Sequence, residues 1–125
     1  MKTEQIDGGT LETWTVEEVE KGLAEHSIVL IDVRTPPEYM FECIPGALLA
    51  PMSHFDAAQM PEEGKKRIVF HCGSGIRSGK VAQQYLAAGH DRIAHLEGGF
   101  GAWKQAKKPF IGIDPASGSQ RRVNG

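Results

Sequence analysis

Three short runs of apolar residues, at 28–33, 67–71 and 93–96, each lead through a polar or glycine-containing turn into a stretch of helical periodicity. Ile28-Val29-Leu30-Ile31 and Ile68-Val69-Phe70 are too short for helices and lack the polar alternation of a half-exposed strand. They read as strands covered on both faces. Strands alternating with helices imply right-handed crossovers, and hence an α/β fold: a mainly parallel central sheet flanked by helices on both faces. Ligands of such sheets collect at the carboxyl ends of the strands, so the turns that follow the apolar runs are where chemistry is expected.

The helices announce themselves by their caps. Thr15-Val16-Glu17-Glu18 sets a hydroxyl three residues before a carboxylate, followed by Val19 and Leu23, which predicts a helix over 15–25. Thr35-Pro36-Pro37-Glu38 repeats this logic, with prolines where the first turn has no use for N–H groups, and predicts a second, short helix. Pro45-Gly46 is a turn before a brief strand at 47–50, and Ser53 is expected to cap a helix through Phe55, Ala57 and Ala58. Residues 61–66 are expected to be an exposed connection. From Ser78, the residues Val81, Ala82, Tyr85 and Leu86 recur at helical spacing, and Gly89 takes the left-handed position past the helix end. Phe100 and Trp103 form the apolar face of a last helix, closed by Pro109. Beyond it the chain loses periodicity.

At 125 residues, of which 40% are hydrophobic, the chain matches one domain with its own core. Fourteen basic and 16 acidic side chains leave a formal charge of -2, which excludes the strong field of a nucleic-acid binder or a polybasic membrane anchor. No apolar stretch approaches the roughly 18 residues of a membrane span. The first residues carry no apolar signal core, so a cytoplasmic location is expected. Two cysteines are too few for a disulfide scaffold, and each is weighed as a reactive thiol.

Cys72 carries the strongest chemical signal. It ends a buried strand, opens the loop Gly73-Ser74-Gly75-Ile76, and precedes Arg77 and Ser78 at the start of a helix. Amides of a glycine-permitted loop converge on one anion, and a helix N-terminus adds partial positive charge, so a thiolate there has a depressed pKa. Arg77 is expected to add a full charge. A cysteine serving only as core packing would need neither the glycines nor the arginine.

The segment His71-Cys72-Gly73-Ser74-Gly75-Ile76-Arg77-Ser78 resembles the active-site loop of the rhodanese sulfurtransferases. Ile31-Asp32-Val33-Arg34 with Pro37-Glu38-Tyr39, Ile44-Pro45-Gly46-Ala47, and Leu96-Glu97-Gly98-Gly99-Phe100-Gly101-Ala102-Trp103 are similar to further signatures of that family. The resemblance implies a rhodanese-like domain over 11–108, an N-terminal extension over 1–10 and a C-terminal tail over 109–125, at most partly docked. It also implies sulfur chemistry. Cys72 would take sulfane sulfur from a small anionic donor such as thiosulfate, hold it as a persulfide, and pass it to a thiol or cyanide, with no cofactor. Gly73, Ser74, Gly75, Ile76, Arg77 and Ser78 would bind substrate. A protein sulfur acceptor is a further expected partner, and nucleic acid and membrane are not.

Two other readings differ in class: a phosphatase or arsenate reductase of the same fold, and a noncatalytic binding module. Related phosphatases have five residues between cysteine and arginine where four stand here, and a shorter ring suits one extra sulfur better than a phosphoryl group. Retention of Cys72 and Arg77 argues against a mere binding module. Asp32 and Arg34 lie on the same sheet edge as Cys72 as supporting residues, and of two roles there, electrostatic shaping of the substrate mouth or an Arg34 to Glu38 ion pair holding the edge together, the ion pair is expected. His71 is expected to turn its side chain from the loop, because adjacent strand residues face opposite sides. Cys43, where the family usually has Gly-His before Ile-Pro-Gly-Ala, reads as a substituted turn residue. Metal ligation by Cys43, His54, His71 and Cys72 is disfavoured, since no short-spaced ligand pair preorganises a site.

Overall fold

The computed structural model of the chain describes residues 1–6 and 8–124; Asp7 and Gly125 lie outside the described residues. Strands β1 (Lys2–Ile6) and β2 (Gly9–Trp14) precede helix α1 (Val16–Ala24), strand β3 (Ile28–Asp32) and helix α2 (Pro36–Phe41). The two-residue strand β4 (Leu48–Leu49), a 3-10 turn at Met52–His54, strand β5 (Arg67–His71) and helix α3 (Ile76–Ala87) follow. Strand β6 (Arg92–Leu96), helix α4 (Gly99–Gln105) and strands β7 (Phe110–Ile113) and β8 (Gln120–Val123) complete the chain.

Six strands form one sheet in the order β1-β2-β6-β5-β3-β4, and β7 and β8 form a separate antiparallel pair. Among the described residues the β1–β2 pairing of the large sheet is antiparallel and its other strand pairings are parallel. The mainly parallel sheet with helices on both faces is therefore as expected. The unbroken apolar runs occupy its middle: β5 has no exposed residue, and Val69 and Phe70 are fully buried. On one face Val81, Ala82, Tyr85 and Leu86 of α3 pack on Ile31, Ile68 and Phe70. On the other, Val16 and Val19 of α1 and Phe100 and Trp103 of α4 pack on Leu30, Val69 and Leu96. Each large side chain so buried contributes about 1.5–3 kcal/mol relative to exposure.

Both capping boxes form as the spacing dictates. Thr15 accepts from the Glu18 amide while Glu18 accepts from the Thr15 amide, and Thr35 and Glu38 repeat the exchange. Gly89 adopts φ +105°, the conformation required where α3 ends.

The structure departs from expectation at three places. Within residues 1–10, read as an extension, residues 2–6 form an edge strand paired with β2, which itself begins at Gly9; the charged and polar residues of β1 hide the pairing because the strand buries almost nothing. The helix expected from Ser53 through Ala58 is only the 3-10 turn at Met52–His54. Phe55 leaves the helical path to stack edge-on against Phe70, which holds the following residues in turns. The 61–66 connection is exposed apart from Glu63, as expected, and Glu63 ties it down by accepting from Arg67, Arg92 and the Ile68 amide. The segment after Pro109 forms the β7–β8 hairpin, and Ile111 exchanges two backbone hydrogen bonds with Cys43.

Candidate active site

Parallel pairing of β3 with β5 places Asp32 opposite His71, so Asp32, Arg34 and the Cys72 loop share the carboxyl edge of the sheet. Cys72 is fully buried. Its chain turns through Gly73 and Ser74 into Gly75, which caps α3 in the left-handed conformation at φ +103° without any side-chain cap. The sulfur fills that role: the Gly75 amide donates to Cys72 Sγ at 3.0 Å, and Ser78 Oγ lies 3.6 Å from it. Burial pushes the thiol pKa up, but hydrogen bonds from the Ser78 amide and hydroxyl and from the Ser74 and Gly75 amides outweigh it. The net shift is downward, which favours the thiolate.

A second helix N-terminus shapes the loop from behind. The Phe100 amide of α4 donates to the Cys72 carbonyl at 2.8 Å, and the Gly101 amide to the Gly73 carbonyl at 3.0 Å. With those carbonyls held outward, the loop amides are left to converge on the sulfur. Gly99 makes this approach feasible: at φ +59° it sits against the Cys72 and Gly73 backbone, where a Cβ would fall 2.7 Å from the Gly73 carbonyl carbon.

Arg77 stands at the loop edge, but its partner is Glu38. The guanidinium donates to both Glu38 oxygens, at 2.8 and 3.1 Å, and holds that carboxyl well below its usual range, at about 2. The full positive charge expected for the sulfur is thus largely balanced by α2. The Arg34 to Glu38 pair expected from sequence does not form. Arg34 instead makes a buried, forked contact with Asp32 at 2.8–3.1 Å and donates to the Glu42 carbonyl at 2.7 Å. Glu38, at the third position of α2, faces its own cap and α3, whereas Arg34 turns inward over the Phe100 ring. Asp32 and Arg34 are therefore a structural clamp beneath the edge, with Asp32 fully enclosed.

His71 is buried, and its contacts are the Cys72 carbonyl, at 3.2 Å from Nδ1, and Asp32, at 3.5 Å from Nε2. Its ring meets the backbone of Cys72 and not the sulfur, and burial lowers its pKa. Cys43 and Cys72 are both free thiols. Cys43 is buried beside Ile111, and burial pushes its thiol pKa up.

One residue of the site was not singled out by the sequence. His95 on β6 places Nδ1 2.9 Å from Ser78 Oγ and Nε2 3.3 Å from Thr13 Oγ1. Its signal was a single imidazole within the apolar run Ile93-Ala94-His95-Leu96. Beside the loop, a cleft of about 340 Å³ is lined by Val33, Thr35, Pro51, Met52 and Arg77, among others. Among the described residues no helix is long and apolar enough to cross a membrane.

Comparison with known proteins finds relatives in sequence and in fold. A protein of Synechocystis sp. is 41% identical over 87 residues, covering 70% of this chain and 49% of that protein, so the chain spans about half its length. The thiosulfate sulfurtransferase GlpE of Coxiella burnetii is 34% identical, covering 75% of this chain and 82% of that one. A solved structure from Rhodopseudomonas palustris, described as a possible tyrosine phosphatase, superposes with a TM-score of 0.67 at 29% identity, covering 77% of this chain and 81% of that one. The family model for the rhodanese-like domain matches residues 15–106, which include the cysteine loop, the Asp32–Arg34 clamp and the Gly98-Gly99 turn, and the chain belongs to that family.

Proposed function

We propose that this chain is a sulfurtransferase that carries sulfane sulfur as a persulfide on Cys72, loaded from a small anionic donor such as thiosulfate. The observation that carries the reading is the closure of the loop on one atom: the Gly75 amide at 3.0 Å from Sγ, with Ser74 and Ser78 as further donors. Donors so placed stabilise a thiolate before reaction and a persulfide after it. The Cys72 thiolate attacks the outer sulfur of thiosulfate, the sulfur–sulfur bond of the donor breaks, and sulfite leaves with the bonding pair. An acceptor thiolate or cyanide then attacks the outer sulfur of the persulfide, and the electron pair returns to Cys72. No cofactor enters either step. The similarity to a thiosulfate sulfurtransferase supports this choice of donor.

The cleft beside Arg77 supports an acceptor larger than cyanide. Val33, Pro51 and Met52 make it mainly apolar, and Ile76 stands exposed on the loop itself. Such a surface suits an organic or protein thiol, which supports the alternative reading of a persulfide relay to a protein partner. The phosphatase reading has a neighbour in its favour. Against it stand the four-residue spacing of the loop and the pairing of two acids on its edge, Asp32 clamped by Arg34 and Glu38 by Arg77.

The test is intact mass after incubation with thiosulfate, for wild type and Cys72→Ser. Wild type should gain one sulfur atom and lose it to cyanide or a thiol, and the variant should gain none while unfolding at a similar temperature. A wild-type protein that takes no sulfur but hydrolyses an aryl phosphate through Cys72 would overturn the reading in favour of phosphoryl transfer.

A further inference from the structure

We propose that His95 is a positioning residue that draws the proton of the Cys72 thiol through the Ser78 hydroxyl, so that Cys72, Ser78 and His95 form one proton path. The path is continuous: 3.6 Å from Cys72 Sγ to Ser78 Oγ, 2.9 Å from Ser78 Oγ to His95 Nδ1, and 3.3 Å from His95 Nε2 to Thr13 Oγ1. Geometry also sets the tautomer. For Nδ1 to accept from Ser78, the ring proton must sit on Nε2, where Thr13 accepts it. The Ser78 hydroxyl has another acceptor in the Gly75 carbonyl, but at 3.3 Å that contact is the longer one.

In the step itself the S–H proton moves to Ser78 Oγ while the Ser78 O–H proton moves to His95 Nδ1. The electron pair stays on sulfur, Ser78 keeps one proton and now donates it to the thiolate, and His95 becomes an imidazolium whose Nδ1 donates to Ser78. Every hydrogen bond between sulfur and ring reverses, and no atom is gained or lost. Burial lowers the His95 pKa, which favours a neutral ring whose Nδ1 lone pair accepts from Ser78. Glu4 and Glu97 act in the other direction and favour the proton once it arrives. Around the ring, α3 presents Ser78 and Gly79, β2 presents Thr13, β1 presents Glu4, and the turn after β6 presents Glu97, itself 3.7 Å from Lys2. His95 is only partly buried, so the proton has an exit to water.

The inference rests on Cys72 as the nucleophile of the proposed reaction, but its test uses no sulfur donor. The rate of Cys72 alkylation by iodoacetamide, followed by peptide mass from pH 5 to 10, is compared in wild type, His95→Asn, Ser78→Ala and the double variant. An Asn amide oxygen can accept from Ser78 but takes no proton, so His95→Asn should raise the midpoint and slow alkylation at neutral pH by roughly three- to tenfold or more. The double variant should shift no further than Ser78→Ala alone, because both act on one path. A His95→Asn profile superimposed on wild type overturns the proposal. A measurement on the native chain decides should a variant misfold: the His95 ring, titrated by ¹⁵N NMR, should have a lower midpoint once Cys72 is alkylated, and an unchanged midpoint overturns the proposal. A coupled profile in a protein that takes no sulfur from thiosulfate would retain the proton path and remove the sulfurtransferase reading; sulfur loading with an uncoupled profile would do the reverse.

Discussion

The Cys72 sulfur occupies the place of a helix cap, and single atoms decide whether it can stay there. Gly99 is the least replaceable neighbour, because at φ +59° any side chain is strained and a Cβ would collide with the Gly73 backbone. Gly99→Ala is expected to cost about 3 kcal/mol or more in urea unfolding and to abolish sulfur loading, since α4 would be pushed off the loop carbonyls. Cys43 behaves differently. Its thiol hydrogen-bonds with Tyr39, and its backbone pairs with Ile111 of the C-terminal hairpin. Cys43→Ser should therefore keep full persulfide loading on Cys72, and peptide mapping after mild peroxide should find no link between residues 43 and 72. A linked peptide with reductant-reversible loss of loading would make Cys43 a redox partner instead.

At the scale of elements, α2 has an unusual economy: six residues, none of them buried, held by its capping box and two prolines. Its contribution is Glu38, which fixes the Arg77 guanidinium across to α3. The Glu38 carboxyl is held at about 2 against an ordinary 4.5, chiefly by hydrogen bonds from Arg77. A depressed carboxyl stabilises the fold above its unfolded pKa and loses that effect as pH falls through its folded one. The difference in unfolding temperature between wild type and Glu38→Gln should thus be full at pH 6, shrink below pH 4.5, and vanish near pH 2. Both partners are 37% exposed, so the difference should be small and weaken with salt. Activity should respond in the opposite sense: without Glu38 the Arg77 charge is unbalanced, and KM for thiosulfate should fall by about two- to fivefold.

For the whole molecule, the segment after α4 belongs to the packing of the domain. The Trp103 indole donates to the Pro109 carbonyl at 2.7 Å, Phe110 meets Phe100 edge-on at 5.9 Å, and Ile111 bridges to Cys43. A chain ending at residue 108 loses all three and leaves a buried indole N–H without its acceptor, at a cost of about 1–3 kcal/mol for that group alone. A chain ending at residue 114 keeps them and loses only the exposed strand β8. Urea unfolding should show a clear loss for the first and little change for the second; equal loss in both would mean that β8 itself carries the stability.

The amino-acid sequence by itself determined the strand–helix alternation, both capping boxes, the buried middle of the sheet and the placement of Cys72 at the head of α3. These follow from short-range rules: apolar runs, hydroxyl-to-carboxylate spacing and glycine at positive φ are all read within a few residues. Strand β1 escaped because an edge strand that buries little has no apolar signature. The helix expected after Ser53 failed because Phe55 packs on Phe70, a contact far away in sequence. Only the tertiary structure decided the partners of the charged residues. Asp32, Arg34, Glu38 and Arg77 offer several pairings on one sheet edge, and the inward turn of Arg34 over Phe100 leaves Glu38 to Arg77. The same holds for His95, which lies 17 residues from Ser78 and reaches it because β6 pairs beside β5 while α3 packs over both. Long-range pairing of polar groups depends on where strands lie side by side, and local pattern does not encode that order.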